Sequence, residues 1–216
     1  MKKVRVEAST KKDRTSEIFG NPMSKKVIRK AQKSKQKNQK KYGDDSKVNY
    51  QCIIRDNSCI GGPLGVKNVV VTRKEGKGSF DEEKGVIVGN IRMGFGHYRI
   101  SMAIASAAHA LGYTPYWMDL NSYPETTCTK LISAQNELYS LGSRISQKSK
   151  LFNKFVWEPV NYEGFRQLSY NAADQKNAEL MAPVYHSVPK DIPVIATHVW
   201  PAQACLLYTS PSPRDG

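Results

Sequence analysis

Two hydrophobic periods follow each other in the middle of the chain. Val86-Ile87-Val88 is a short continuous apolar run, which is typical of a buried β-strand over about 85–90. Apolar residues then recur after four, three and four positions, at Ile100, Ile104, Ala107 and Leu111. This spacing predicts a helix over about 97–111, and the apolar segment 114–120 predicts a second strand. A strand, a helix and a strand within 36 residues make one βαβ unit with parallel strands.

The same helix carries a second stripe, made of small residues. Its members are Ser101, Ala105, Ala108 and Gly112. Small side chains let a helix lie close to a sheet, and Gly112 is a typical C-terminal stop.

Alternation of helix and strand patterns continues towards the C-terminus. A long helix is predicted to begin near Thr126 or Thr127, another helix is predicted over about 161–181, and the segment 191–198 predicts a strand that ends in Thr197-His198. The expected fold is therefore α/β, a doubly wound, mostly parallel, Rossmann-like sheet that occupies residues 85–205.

The segments on either side of this region follow other patterns. Residues 48–84 predict a β-rich lead-in, in which 50–54 and 68–72 form either a hairpin or an irregular approach to the main domain. Residues 206–216, LLYTSPSPRDG, break the pattern and resemble a translated sequencing adapter. We therefore expect a non-native tail there and a native chain that continues past Cys205.

The positive charge lies mainly at the N-terminus. The formal net charge is +14, and residues 1–47 hold 16 Lys and Arg against 5 Asp and Glu. Without an apolar stripe this segment is expected to be a disordered basic tail, or a helix only when bound. It would bind anionic lipid, would bind nucleic acid less readily, or would act as a solubilising extension. Because the remaining residues are nearly neutral, no specific nucleic-acid partner is expected.

A second basic segment, residues 148–157, mixes lysines with aromatic and aliphatic residues. We rank burial in the core first for its apolar side chains and contact with a membrane interface second. The chain has neither a secretory leader pattern nor an apolar run of membrane-spanning length, so a cytoplasmic protein is expected. Its four dispersed cysteines indicate neither a zinc site nor a disulfide framework.

A glycine-rich turn joins the first strand of the βαβ unit to its helix. Gly89, Gly94 and Gly96 let backbone N–H groups approach a ligand, and the helix N-terminus favours an anion there. His97 stands where the helix begins, so the turn is a candidate ligand site that contains an acid–base residue. His109 and His186 are expected to be surface histidines.

One interpretation of the turn is a dinucleotide site. Gly94-Phe95-Gly96 begins a GxGxxG pattern, and Asp119 stands where a ribose-binding acid is expected. Arg99 replaces the third glycine, which weakens the match. An NAD(P)-dependent oxidoreductase remains the alternative function, and a non-enzymatic protein that binds through its basic tail is the third.

A different family fits the residues 89–112 better. Gly94, Gly96 and His97, followed by a small-residue helix, resemble the N-terminal acceptor domain of GT-B glycosyltransferases. Among these enzymes the motif is similar to that of monogalactosyldiacylglycerol synthases, processive diacylglycerol glucosyltransferases and the MurG peptidoglycan transferases. The segment 195–202, with Thr197-His198, resembles a later strand of the same domain. Phe95 and the residues 91–93 depart from the family pattern.

The resemblance implies transfer of a sugar from a nucleotide-sugar donor to a lipid or cell-envelope acceptor. It implies His97 as the general base, and Gly94, Gly96, Arg99 and His198 as groups that bind the acceptor or a phosphate. It implies no metal or other cofactor, and a donor held mainly by a second α/β domain. We therefore expect an enzyme that acts peripherally at the inner face of a membrane, and no activity from these 216 residues alone.

Overall fold

A computed structural model describes the backbone of residues 17–18, 21–74, 76, 79–166 and 168–209. Among these residues, the side chains are described for those in the ranges 23–162 and 172–208. The strands are β1 (Glu17–Ile18), β2 (Asn21–Pro22), β3 (Gln51–Asp56), β4 (Lys67–Thr72), β5 (Gly85–Asn90), β6 (Thr114–Asp119) and β7 (Val194–Ala196). The α-helices are α1 (Lys25–Tyr42), α2 (Gly61–Leu64), α3 (Phe95–Ala110), α4 (Thr127–Lys148), α5 (Lys150–Phe152), α6 (Glu158–Arg166), α7 (Leu168–Ala178) and α8 (Val199–Thr209). A π-helical stretch spans Asn153–Trp157 and a 3-10 turn spans Ala182–Tyr185.

The main sheet has five strands in the order β3-β4-β6-β5-β7. Strand β5 is parallel to both β6 and β7, β6 is parallel to β4, and only the β3–β4 pair is antiparallel. The predicted α/β class, the βαβ unit and its parallel strands are thus confirmed, with β3 as an antiparallel edge.

Helices cover both faces of this sheet. On one face Val88 and Trp117 pack with Ala105 of α3, and on the other Ile87 and Met118 belong to the larger core that includes parts of α4 and α8. The strand β5 is buried along its whole length because both faces are covered, as its continuous apolar run predicts.

The small-residue stripe of α3 is the face that meets the sheet. Ser101, Ala105 and Ala108 are its buried residues. The two ends of the apolar stripe face outwards instead, with Ile100 53% exposed and Leu111 76% exposed, whereas Ile104 is half-buried against the core. Close approach of α3 to the strands leaves room for small side chains only, which overrides the larger hydrophobic residues.

The prediction of a disordered basic tail is wrong for residues 25–42, which form helix α1. Ser24 caps its N-terminus by accepting from the Val27 N–H at 3.3 Å. The helix packs against α7, where Ala31 and Ala172 share a small buried cluster and Lys35 pairs with Glu179. Docking supplies the burial that an isolated segment of this composition lacks. Residues 1–16 of the predicted tail lie outside the described residues.

The lead-in region is part of the same sheet. Strands β3 and β4 form the predicted hairpin, with Cys52 opposite Val71 and Ile53 opposite Val70. Strand β4 also pairs with β6, through Lys67 opposite Tyr116 and Asn68 opposite Trp117. The hairpin is therefore continuous with the βαβ unit.

The later helices follow the sequence pattern in part. Thr126 caps α4 by accepting from the Thr129 N–H at 3.1 Å, as predicted. The helix expected over 161–181 corresponds to helical residues 158–166 and 168–178, and residue 167 between them lies outside the described residues. Helix α8 extends past Cys205 to Thr209, and the residues 210–216 lie outside the described part of the chain.

Candidate functional site

The candidate site lies at the carboxyl ends of β5 and β7. After β5 the chain turns to α3 on one face of the sheet. After β7 it turns to α8 on the other face, where Pro201 lies beside Gly89. In open α/β sheets a ligand crevice forms where neighbouring strands send their connections to opposite faces. The glycine turn and Thr197-His198 therefore meet at the place where this fold favours a ligand site.

His97, on the first turn of α3, is tied to the end of β7. Its Nδ1 lies 2.7 Å from the carbonyl oxygen of Thr197. A carbonyl can only accept, so Nδ1 carries the proton and Nε2 is the basic nitrogen of the neutral ring. This arrangement leaves His97 able to take a proton at Nε2.

His198 has the opposite tautomer. The backbone N–H of Trp200 donates to Nδ1 of His198 at 3.2 Å. In the neutral His198 ring the proton is therefore on Nε2. The His97 and His198 rings meet edge to face, with centroids 5.0 Å apart. Burial, and to a smaller degree the nearby His97, lowers the pKa of His198 from 6.5 to about 4. The pair thus offers one acceptor and one neutral donor side by side.

Hydrogen bonds of hydroxyl groups connect α3 to the end of β7 next to the two histidines. Ser101 donates to the carbonyl oxygen of His97 at 2.9 Å, and its hydroxyl lies 3.1 Å from that of Thr197. The Thr197 N–H donates to the carbonyl oxygen of Gly89 at 3.0 Å. These bonds fix the distance between α3 and β7 and so the position of His97.

The glycine turn is open on its outer side. Gly94 has a φ of 83°, which favours glycine, and begins α3 without a side-chain cap. A Cβ added at Gly94 or Gly96 would meet no atom within 4 Å. The first N–H groups of α3 are therefore accessible to an incoming polar group.

Asn90 is a site residue that sequence reasoning missed. It ends β5, is fully buried, and neither its Nδ2 nor its Oδ1 has a hydrogen-bond partner among the described residues. Strand alternation places it on the α3 side of the sheet, with Val88 and directly beside Asp119. A polar residue that ends an apolar strand just before a glycine turn is the signal that could have revealed it.

Two other predicted residues do not join this group. Asp119 forms an ion pair with Arg92 at 2.7 Å and accepts from Ser122 at 3.0 Å, so its carboxylate is already engaged. Arg99 is exposed on α3 and makes no hydrogen bond or ion pair with the described residues. His97, His198 and the glycine turn are thus brought together, whereas Arg99 is not.

Three of the four cysteines are buried, whereas Cys59 is exposed, and the described residues form no metal-binding cluster. No group of three or more His, Cys, Asp or Glu side chains there is placed to hold a metal ion. Burial raises the pKa of the Cys52 thiol to about 11 and that of Cys128 further still. Among the described helices, none is both long and apolar enough to cross a membrane.

Comparison with known proteins places this α/β chain in a family. A family model described as "Domain of unknown function (DUF6937)" matches residues 17–208, so the chain belongs to that family. No curated protein and no solved structure matches the chain. The matched region contains the sheet, the glycine turn and both histidines of the candidate site.

Proposed function

We propose that this protein is the acceptor-side part of a GT-B glycosyltransferase that moves a sugar from a nucleotide-sugar donor to a lipid or cell-envelope hydroxyl at a membrane surface. The observation that carries the proposal is the His97–Thr197 hydrogen bond, which leaves Nε2 as the basic atom beside an open glycine turn. The resemblance of this turn to the GT-B acceptor domain supports the same interpretation.

His97 acts as general base. As the acceptor oxygen attacks the anomeric carbon, its proton passes to Nε2 of His97, and the bond from that carbon to the nucleotide diphosphate breaks. The nucleoside diphosphate leaves with the electron pair. General-base assistance of this kind contributes about 10²–10⁴-fold to the rate.

His198 and the glycine turn position the acceptor. A neutral His198 donates from Nε2 to an acceptor oxygen, and its lowered pKa keeps it neutral at physiological pH. The open N–H groups at the start of α3 serve the same purpose for a polar headgroup. The donor is bound mainly by a second α/β domain, as the resemblance implies.

The engaged carboxylate of Asp119 favours this proposal over an NAD(P)-dependent oxidoreductase. A ribose-binding acid must accept from the ribose hydroxyls, but Asp119 already accepts from Arg92, Ser122 and the Asn121 N–H. Binding of a dinucleotide would have to break these contacts. A non-enzymatic role for the N-terminal region is less favoured because α1 is docked into the fold.

Sugar transfer is the direct test. The chain, joined to a GT-B donor domain as the proposal requires, is incubated with radiolabelled nucleotide sugars and dispersed diacylglycerol or membrane lipid extract. We expect a labelled glycolipid, no requirement for added metal, and loss of product with His97→Ala. Binding of NAD(P)H without any sugar transfer would contradict the proposal.

A further inference from the structure

A helical arm projects from the body of the protein. The arm, residues 138–162, contains the end of α4, α5, the π-helical stretch and the start of α6. The buried residues of α4 lie only in its first two turns, up to Ile132. Within the arm no side chain is buried, so it contributes little to the core.

The two sides of the arm are held together by close packing at one point. The ring of Trp157 packs over Gly142, where a Cβ would overlap it. Trp157 also meets the Tyr139 ring with centroids 5.3 Å apart. The arm is therefore a helical hairpin whose two sides pack against each other.

Large apolar side chains cover the arm. Nine of them are exposed between 138 and 162, and Leu151 and Phe155 are 72% and 67% exposed. The prediction that the apolar residues of 148–157 lie in the core is therefore wrong for Leu151 and Phe155. So dense a cluster of exposed apolar residues marks an interaction surface.

The charge of the arm selects the partner. The arm holds Arg144, Lys148, Lys150 and Lys154 against the single acid Glu158. Lys154 lies 5.6 Å from the centre of the Phe155 ring, so cation and aromatic group occur on one surface. Two copies joined through their arms would bring like charges together, which disfavours a second copy as the partner. Apolar and aromatic residues with basic neighbours fit an anionic lipid interface.

We propose that the arm, and not the basic N-terminal region, docks the protein on an anionic lipid surface by inserting Leu151 and Phe155 between headgroups. The inference rests on the proposed function only in so far as that function places the protein at a membrane. The proposal assigns the membrane contact to a segment for which we ranked burial in the core above contact with a membrane.

Vesicle co-sedimentation tests the assignment. The 216-residue protein is mixed with phosphatidylcholine vesicles that contain no anionic lipid or about one third phosphatidylglycerol, at low and high salt. We expect binding to the anionic vesicles that weakens with salt. The double substitution Lys150→Gln/Lys154→Gln lowers the partition coefficient about 30-fold, which is roughly five- to sixfold per lysine. Leu151→Ser/Phe155→Ser lowers it at least about tenfold.

Matched variants elsewhere on the surface serve as controls. Ile100→Ser/Leu111→Ser removes exposed apolar residues from α3, and Lys67→Gln/Lys84→Gln removes exposed lysines near the sheet. Both are expected to bind as the wild type does, with circular dichroism showing that all variants fold. Equal binding by the arm variants, or a loss with Lys30→Gln/Lys37→Gln on α1 instead, would overturn the proposal. Detection by light scattering of a dimer that Leu151→Ser/Phe155→Ser abolishes would also overturn the proposal, because the arm would then bind a second copy of the chain.

The outcome is separate from that of the transferase proposal. Sugar transfer to a short-chain acceptor that needs no vesicle reports on the site alone, and the arm variants should retain it. Vesicle binding without transfer would leave the arm assignment standing and remove the transferase. Transfer without vesicle binding would support the transferase proposal and overturn the assignment of the arm.

Discussion

At the scale of single residues, the opposite tautomers of His97 and His198 define the chemistry of the site. Each tautomer is set by one backbone contact, to the Thr197 carbonyl in one case and from the Trp200 N–H in the other. Backbone groups do not titrate, so the fold fixes the tautomer of each ring as long as that ring is neutral.

Gly96→Ala separates access from stability. A methyl group at Gly96 meets no atom within 4 Å, and alanine is about 0.5–1 kcal/mol better than glycine in a helix. We expect an unchanged or slightly raised melting temperature together with a higher acceptor KM, measured by calorimetry and steady-state kinetics. An acceptor KM equal to that of the wild type would show that the ligand does not approach this turn.

The half-buried His198 makes stability depend on pH. Its folded pKa of about 4 lies below the ordinary value of 6.5, so the unfolded chain binds the proton first. Its contribution is fully present above pH 6.5 and is lost as the pH falls towards 4, by at most about 3 kcal/mol. His198→Asn keeps an acceptor for the Trp200 N–H and removes the titration. Urea unfolding at pH 7 and 4.5 should show a smaller loss for the variant, and equal losses would contradict this account.

The sequence predicted part of this site for clear reasons. His97 and the glycines stand out because a turn between a buried strand and a helix has a recognisable local pattern. Asn90 does not, since its lack of partners depends on how β6 and α3 enclose it. The engagement of Asp119 by Arg92 likewise arises from a contact 27 positions apart, which no local pattern encodes.

At the scale of elements, helix α1 shows how docking changes a segment's behaviour. Its composition is that of a solvated chain, yet Ala31, Lys35 and Asn38 all contact α7 or the residues just after it. Sequence reasoning could not find this helix because its partner surface is more than 100 residues away. The same limitation applies to the arm, whose apolar residues have no core to join.

Ala31→Asp tests whether α1 is part of the fold. A carboxylate at this buried position has no partner, so we expect a loss of about 2–4 kcal/mol in the free energy of unfolding. Gln36→Asp, on the exposed side of the same helix, is the matched control and should change stability by less than about 0.5 kcal/mol. Urea denaturation followed by circular dichroism measures both, and equal stabilities would mean that α1 is not docked in solution.

At the scale of the whole molecule, the five-stranded sheet forms the centre of the body and positions the candidate site, and the arm extends from that body. The βαβ unit and the strand before His198 were predictable because their periods are local. Strand order was not, since the hairpin β3–β4 joins the far side of β6 through contacts between distant segments. The adjacency of β5 and β7 follows from that order, and it brings His97 and His198 together.

The central claim is that His97 is the general base of a sugar transfer, and one kinetic comparison tests it most directly. His97→Ala and the control His109→Ala, which alters an exposed histidine on the same helix, are assayed in a protein that joins this chain to a GT-B donor domain, as the proposal requires. We predict that His97→Ala lowers kcat by about 10²-fold or more, with the donor KM within a few-fold of the wild type and a melting temperature lowered by only about 2–4 °C, through loss of the bond to Thr197. The His109→Ala variant should behave as the wild type does. A near-wild-type kcat for His97→Ala would contradict the account.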